Sequence, residues 1–141
     1  MKASDPAQSF SLGIPFMDAS HESLMAKLQH IAACPDDEFC QAYCDLTAII
    51  ESDFREEEES MEAIRFAGLQ RHREQHARVL SAMHRCRPQV MAGDIAAGRK
   101  IIELFPQWFS IHIATLDHTL ARALAKASAK ASEQAEGAAA K

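Results

Sequence analysis

The stretch WFSIHIATLD, residues 108–117, places apolar side chains at helical spacing around one histidine and one carboxylate, His112 and Asp117. The same apolar pattern extends from Ile101 to Leu120, which predicts an amphipathic helix. Pro106 conflicts with an unbroken helix from residue 99, because proline lacks an N–H and clashes with the preceding turn. The helix therefore either begins near Pro106 or bends there.

Three more helices are predicted before this one. They cover about residues 18–33, with Asp18 or Ser20 as the N-cap, then 37–66, ended by Gly68, and then 69–86. Residues 87–98 contain proline and glycine and are predicted to connect the third helix to the fourth. Four amphipathic helices with short links predict an all-α fold, an up-down-up-down four-helix bundle.

The two ends of the chain are predicted to lie outside the bundle, which covers residues 18–125. Residues 1–17 form an extended N-terminal arm, because Pro6, Gly13 and Pro15 interrupt any helix. Residues 126–141 are rich in alanine and lysine, and we expect a tail that is frayed or disordered.

The composition excludes several classes of protein. The chain has 141 residues, enough for one domain with a single core. A net charge of −5 argues against a nucleic-acid-binding surface. No apolar run approaches the roughly 20 residues that span a bilayer, so we expect no membrane partner. The N-terminus has no basic start followed by an apolar stretch, so we see no secretory signal and expect a cytoplasmic protein.

The four cysteines, Cys34, Cys40, Cys44 and Cys86, do not include a Cys-x-x-Cys pair. Neither a zinc ribbon nor a thioredoxin-like site is therefore predicted. The simpler interpretation is four reduced, partly buried thiols that act as small apolar side chains. The alternative is a thiol redox sensor that links Cys34 to Cys40.

Seven residues have donor atoms that suit a metal site: His21, Asp53, Glu57, His72, His76, His112 and Asp117. Asp53 and Glu57, like His72 and His76, are four residues apart and project from one face of a helix. So many histidines and carboxylates inside a bundle would leave buried charges unpaired unless a metal were bound. Mixed nitrogen and oxygen donors suit iron, manganese or zinc better than calcium or magnesium.

Two alternatives limit this interpretation. A run of charges such as residues 56–59 usually forms a solvated face, and we predict that only Glu57 turns inward. A ferritin-type di-iron site needs two Glu-x-x-His pairs. The sequence contains none, so a ferritin-like site is not predicted.

The spacing of these motifs resembles that of the hemerythrin family, in particular the short bacterial hemerythrins. Residues 12–21, LGIPFMDASH, are similar to the family's opening element, and residues 53–61, DFREEEESM, to its second-helix HFxxEExxM pattern. HREQH at 72–76 is similar to the family's HxxxH motif, and residues 108–117 match its fourth-helix WxxxHIxxxD. The resemblance covers residues 12–120, in the family's order and at its intervals.

The resemblance implies a non-haem di-iron site that binds O2 or another small ligand. The residues His72, His76 and His112 would hold one iron, and Glu57 and Asp117 would bridge both irons, together with an oxo or hydroxo group. His21 and the residue at position 53 would hold the second iron, on the side where O2 binds. Asp117 is assigned from the resemblance alone, because simple helical geometry would not choose a spacing of five from His112.

Position 53 is histidine in the family pattern and aspartate here. Five neutral imidazoles and two carboxylates contribute a charge of −2, whereas four imidazoles and three carboxylates contribute −3. The extra negative charge favours the ferric state of the second metal, and an oxygen donor makes manganese or mixed iron–manganese occupancy more plausible. A carboxylate is also shorter than an imidazole, so Asp53 either reaches the metal or leaves its place to a water, to Glu56 or to nothing.

Three classes of function follow from this ligand set. The first is a protein that binds O2, with autoxidation favoured by Asp53. The second is a di-iron oxidase, a peroxidase or an enzyme that handles nitric oxide. The third is an oxygen or redox sensor that acts through a partner protein, which the sequence does not identify.

Overall fold

The computed structural model describes residues 11–139, and within that range its regular elements are all helices. They are α1 (Pro15–Ala33), α2 (Asp36–Ala63), α3 (Leu69–Met91), α4 (Ala96–His112), a π-helical turn (Ile113–Asp117) and α5 (His118–Ala139). Because α4, the π-helical turn and α5 follow one another without a loop, we call them together the fourth bundle helix.

Helices that are adjacent in sequence lie side by side. α1 contacts α2, α2 contacts α3, α3 contacts α4, and α4 returns to contact α1. The links between the helices are short, which makes neighbouring helices antiparallel. The prediction of an all-α four-helix bundle is confirmed.

The first helix begins at Pro15, and neither predicted N-cap residue caps it. Proline suits the first turn because its fixed φ matches the helix and its missing N–H is not needed there. The carboxylate of Asp18 accepts the backbone N–H groups of Leu12 and Gly13 at 2.7 and 3.1 Å. Gly13 has a φ of +78°, a conformation that glycine adopts without strain. These hydrogen bonds to Asp18 therefore bind residues 12–13, which precede α1, to the first turn of the helix.

The link between α2 and α3 differs from the prediction. α2 ends at Ala63 instead of residue 66, and Arg65, with a φ of +53°, takes the left-handed conformation that glycine usually supplies. Gly68 has a φ of −85° and immediately precedes α3. A Cβ at Gly68 would lie 2.7 Å from the ring of Phe66. Close packing, and not a left-handed turn, is what requires glycine there.

Two prolines lie inside helices. α3 continues through Pro88 to Met91, so the predicted connection at 87–98 was too long, and the link consists of residues 92–95. α4 begins at Ala96 and passes Pro106, so a helix that starts at Pro106 was wrong. A proline in a helix interior costs about 3 kcal/mol. Burial of the apolar side chains around each proline offsets that cost. Sequence rules that consider only neighbouring residues do not include this burial.

The ends of the described chain also differ from the predicted bounds. Residues 15–17, which we predicted within an extended arm, belong to α1, and residues 1–10 of that arm lie outside the described residues. α5 continues to Ala139, with every residue from 128 to 139 exposed, where a frayed or disordered tail was expected. The division into arm, bundle and tail remains a prediction. Between residues 11 and 139, no helix has both the length and the apolar character needed to cross a membrane.

A polar layer separates two apolar layers of the core. The larger layer includes Leu28, Tyr43 and Phe105. The smaller one consists of Met17, Met61, Leu120 and Ala121. In α1, His21 lies between Met17 and Leu24, and in α2, Glu57 lies between Phe54 and Met61. The fold therefore brings one short section of each helix to the same level inside the bundle.

Candidate metal centre

The structure brings six of the seven predicted ligands together in this polar layer: His21, Glu57, His72, His76, His112 and Asp117. Each is more than nine-tenths buried, the least buried being Glu57 with 7% of its surface exposed. α1 and α2 supply one residue each, whereas α3 and the fourth bundle helix supply two each. Every helix of the bundle therefore contributes to one buried cluster. The seventh predicted residue, Asp53, is half-buried.

Three imidazoles from α3 and α4 face one oxygen of each buried carboxylate. Nε2 of His72 lies 2.6 Å from Oε1 of Glu57 and 2.9 Å from Oδ1 of Asp117. Nε2 of His76 lies 3.3 Å from the same Glu57 oxygen, and Nε2 of His112 lies 3.0 Å from the same Asp117 oxygen. One donor atom from each of these five residues fits within 4.8 Å of all the others. We call this group the three-histidine subsite.

The remaining oxygen of each carboxylate faces His21. Nε2 of His21 lies 2.9 Å from Oδ2 of Asp117 and 4.0 Å from Oε2 of Glu57. We call this arrangement the His21 subsite. Glu57 and Asp117 thus each direct one oxygen to the three-histidine subsite and the other to the His21 subsite. A pair of bridging carboxylates between two metal ions requires this division of oxygens.

Among the described residues, eight buried side-chain nitrogen or oxygen atoms have no hydrogen-bond partner, and all eight belong to these six residues. They are both ring nitrogens of His21 and of His72, Nε2 of His76 and of His112, Oε1 of Glu57 and Oδ1 of Asp117. None of the short contacts among them is a hydrogen bond. Each buried polar atom without a partner costs about 1–3 kcal/mol, and proteins rarely tolerate several together. Convergent donor atoms of this kind fit a metal ion.

The charges of the cluster are coupled. Burial lowers the pKa of His72, but its contacts with Asp117 and Glu57 outweigh that effect and raise the pKa to about 9. Burial raises the pKa of Asp117, but its contacts with His112, His21 and His72 hold it far below its usual range. Asp117 is therefore ionised, and without a metal His72 binds a proton at neutral pH. A bound metal ion would replace that proton, as is usual for imidazole ligands.

Comparison with known proteins agrees with this geometry. The family model described as "Hemerythrin HHE cation binding domain" matches residues 12–124. The chain belongs to the hemerythrin family. It is also 31% identical over 114 residues to a protein named bacteriohemerythrin from Ralstonia nicotianae (strain ATCC BAA-1114 / GMI1000), a match that covers 81% of this chain and 83% of that protein. No solved structure gave a significant match.

The π-helical turn explains how this hemerythrin-family chain uses a five-residue spacing. In an α-helix, residues five apart are separated by roughly 140° around the axis, so His112 and Asp117 would diverge. Residues Ile113–Asp117 instead form a π-helical turn, in which each hydrogen bond spans five residues. Both side chains are buried and approach to 3.0 Å. The π-helical turn therefore aims Asp117 at the same cluster as His112.

Two residues that were not predicted from the sequence contact the Nδ1 atoms of His76 and His112. Oε2 of Glu58 lies 3.0 Å from Nδ1 of His76, and the other oxygen of Glu58 accepts a hydrogen bond of 2.8 Å from Nε of Arg73. Oε1 of Gln75 lies 3.1 Å from Nδ1 of His112. Such partners orient a ligating imidazole and fix its tautomer. Glu58 sits in a run of four glutamates and Gln75 contacts a different helix, so helical spacing gives no signal for either.

Aromatic rings enclose the imidazoles. The ring of Phe54 stacks on His76 with centroids 3.8 Å apart, and Trp108 stacks on His112 with centroids 4.8 Å apart. Phe109 meets His21 edge-on at 5.4 Å. These contacts restrict the rotation of the rings. Trp108 therefore packs directly against the cluster.

Asp53 has different neighbours from the other six residues. Burial raises the pKa of its carboxyl group, and the charges of Glu56 and Glu57 add to that effect, while a contact with Ser20 and the charge of Lys27 oppose it. Ser20 precedes His21, and Glu57 lies one turn after Asp53, so this carboxyl group lies at the border of the His21 subsite. Its role as a direct ligand remains a prediction.

The other histidines lie away from the cluster. His84 pairs with Glu51 on the surface, and His30 and His118 are exposed. Within the glutamate run 56–59, only Glu57 is buried.

Proposed function

We propose that this chain is a non-haem di-iron protein that binds O2, peroxide or nitric oxide, and that Asp53 makes it autoxidise readily. The observation that best supports the proposal is that six of the eight unpaired buried atoms, the four Nε2 atoms and one oxygen each of Glu57 and Asp117, converge on the two subsites. His72, His76 and His112 would hold one iron ion, and Glu57 and Asp117 would bridge it to the second. His21 and Asp53 would complete the ligands of the second ion.

The donor set supports iron or manganese over magnesium and calcium. Four imidazoles and two or three carboxylates form a mixed nitrogen and oxygen shell, which suits iron or manganese and not magnesium or calcium. Bound iron would supply the electrons that O2 or peroxide accepts. The chain itself would position the ions, because Asp117 contacts imidazoles through both of its oxygens and Glu57 contacts His72 and His76 closely through one.

The two subsites are unequal, and the open coordination position is proposed to lie on the His21 side. The three-histidine subsite has three imidazoles and two carboxylate oxygens. The His21 subsite has one imidazole and the two remaining oxygens, with Asp53 at its border. Fewer protein donors on that side leave room for a small ligand. Phe109, packed edge-on against His21, adds an apolar surface to that side.

Asp53 changes the electrostatics of this open side. An extra carboxylate favours the more highly charged ferric state, because one unit charge at about 4 Å contributes roughly 4 kcal/mol at an effective dielectric constant of 20. Where the family pattern has a neutral imidazole, this chain has a group that also accepts or relays a proton. Both properties oppose a long-lived complex with O2.

A second candidate function, an oxidase or peroxidase, is favoured by the same residue. Asp53 is half-buried, with Ser20 and the charge of Lys27 acting on its carboxyl group, and we propose that it lies on a polar route between the His21 subsite and the surface. Reduction of O2 or peroxide consumes protons, and such a route would deliver them. Repeated turnover with an added reductant and peroxide would distinguish this enzyme from an O2-binding protein.

The test is the lifetime of the oxygenated absorption spectrum after the reduced protein is mixed with O2. We expect a short-lived spectrum for the natural chain and a lifetime at least about tenfold longer for Asp53→His, since one short-range charge is removed. Asp45→His is the matched control, because Asp45 is exposed on the same helix, two turns away. An unchanged lifetime in Asp53→His would refute the role of Asp53, and an iron-free protein would refute the proposed function.

A further inference from the structure

Three sulfur atoms meet at the end of the bundle where α2 begins and α3 ends. Sγ of Cys40 lies 3.5 Å from Sδ of Met91, and Sγ of Cys44 lies 3.8 Å from the same sulfur. Cys40 and Cys44 are one turn apart in α2, and Met91 is the last residue of α3. Both thiols therefore face one thioether on the neighbouring helix.

This sulfur cluster is separate from the candidate metal centre. Cys44 is 13 residues before Glu57 on α2, and Met91 is 15 residues after His76 on α3. At a rise of 1.5 Å per residue, both separations correspond to roughly 20 Å. The cluster is also accessible, because both cysteines are half-buried and Met91 is 59% exposed.

The geometry disfavours a disulfide between the two cysteines. Residues four apart on a helix have Cβ atoms about 5–6 Å apart, whereas a disulfide needs about 3.8 Å. α2 is continuous through both residues, so closing the bond would distort its first turns. A metal ion can be bound by both thiols without a bond between their sulfur atoms.

The observed spacings suit a metal ion with three sulfur ligands. For a metal–sulfur distance of about 2.3 Å, a trigonal arrangement places the sulfur atoms about 4 Å apart. The two measured sulfur–sulfur distances, 3.5 and 3.8 Å, are close to that value. Soft thiolate and thioether ligands select Cu(I) among the common metals, whereas structural zinc sites use four ligands and no methionine.

We propose that Cys40, Cys44 and Met91 form a binding site for a soft monovalent cation of the Cu(I) class. The two thiols release their protons to solvent when the ion binds, and the ion forms bonds to two thiolates and one thioether. The site then has a net charge of −1, and no electron is transferred. Its position near the surface lets the ion exchange with other soft ligands.

The test is a titration of the full-length, reduced protein without O2, after its own metal content has been measured. Ag(I), which is not redox-active under these conditions, is added first, and Cu(I) is then competed against a chromophoric chelator. We expect one equivalent bound with a thiolate-to-metal band in the ultraviolet. Cys40→Ser and Cys44→Ser should each weaken binding by about 100-fold, and Met91→Leu by about tenfold, because a ligand contributes at least as much as its outer partners do.

Cys34→Ser and Cys86→Ser are the matched controls, because both residues are buried cysteines outside the sulfur cluster. They should bind Ag(I) and Cu(I) like the natural chain. Equal binding in Cys40→Ser and Cys44→Ser would overturn the proposal, since the ion would then occupy another site such as the histidine cluster. A copper X-ray absorption spectrum gives an independent readout. A shell of sulfur alone supports the site, and nitrogen in that shell contradicts it.

Discussion

The three-histidine subsite and the His21 subsite share the same two carboxylates. They differ in the number of their imidazoles and in how many hydrogen-bond partners orient those imidazoles. Three imidazoles define the first, and Glu58 and Gln75 orient two of them from outside. The second has one imidazole, whose Nδ1 has no hydrogen-bond partner, and a half-buried carboxylate at its border. A bundle of four helices can thus fix one metal position and leave the other adjustable. We propose that a small ligand binds at the adjustable position.

The largest effect is expected from His72→Leu. Nε2 of His72 approaches the carboxylates of both Glu57 and Asp117, which the two subsites share, so its loss should disturb both subsites at once. We expect the metal content to fall from two ions per chain to nearly none, as measured by elemental analysis. His84→Leu, on the same helix but paired with Glu51 at the surface, should keep both ions. One full equivalent of metal in His72→Leu would show that the two subsites do not depend on this residue.

His21→Leu should separate the two subsites. It removes the one imidazole of the His21 subsite and leaves the three-histidine subsite intact. We expect one tightly bound ion per chain, about half the natural content, in the same elemental analysis. Complete loss of metal would contradict the inequality between the subsites.

Glu58→Ala should weaken the three-histidine subsite without removing a ligand. Glu58 contacts Nδ1 of His76, and loss of such a partner typically lowers metal affinity by about 10–100-fold. Glu62→Ala is a matched control, because Glu62 pairs with the same Arg73 but does not contact the histidine. Metal affinity is measured by competition with a chelator. If both variants lose affinity equally, then Arg73 and not the orientation of His76 is responsible.

The smallest effect is expected from Asp53→Ala. If Asp53 is a ligand at the border of the His21 subsite, its removal lowers the affinity for the second ion by about tenfold and leaves the first unchanged. Chelator competition with stepwise release measures the two affinities separately. An unchanged second affinity would place Asp53 outside the ligand set, while its effect on autoxidation could still be measured with Asp53→His.

Much of the fold and the cluster was predictable, because both depend on periodicity within single helices. The apolar repeats predicted four helices, and the i, i+4 pair on α3 placed His72 and His76 on one face. Local rules failed where packing between helices decides the outcome. α3 continues through Pro88, and Arg65 adopts the left-handed conformation in place of a glycine.

Some parts of the centre could not be predicted from periodicity within single helices. They depend on contacts between helices or on helical geometry other than the regular α-helix. The position of Asp117 needs a π-helical turn, and only the family resemblance suggested that residue. Glu58 was indistinguishable from its glutamate neighbours until α3 brought His76 against it. The resemblance also identified Asp53 as unusual, although only the structure showed its neighbours.

The most direct test of the proposed di-iron centre with two unequal subsites is a Mössbauer spectrum of protein loaded with isotopically enriched iron. The account predicts two iron ions per chain in equal amounts and in two distinct environments, one for each subsite. In His21→Leu, the signal of the His21 subsite should disappear and the other should remain. A single environment in the natural protein, or one iron per chain, would contradict it.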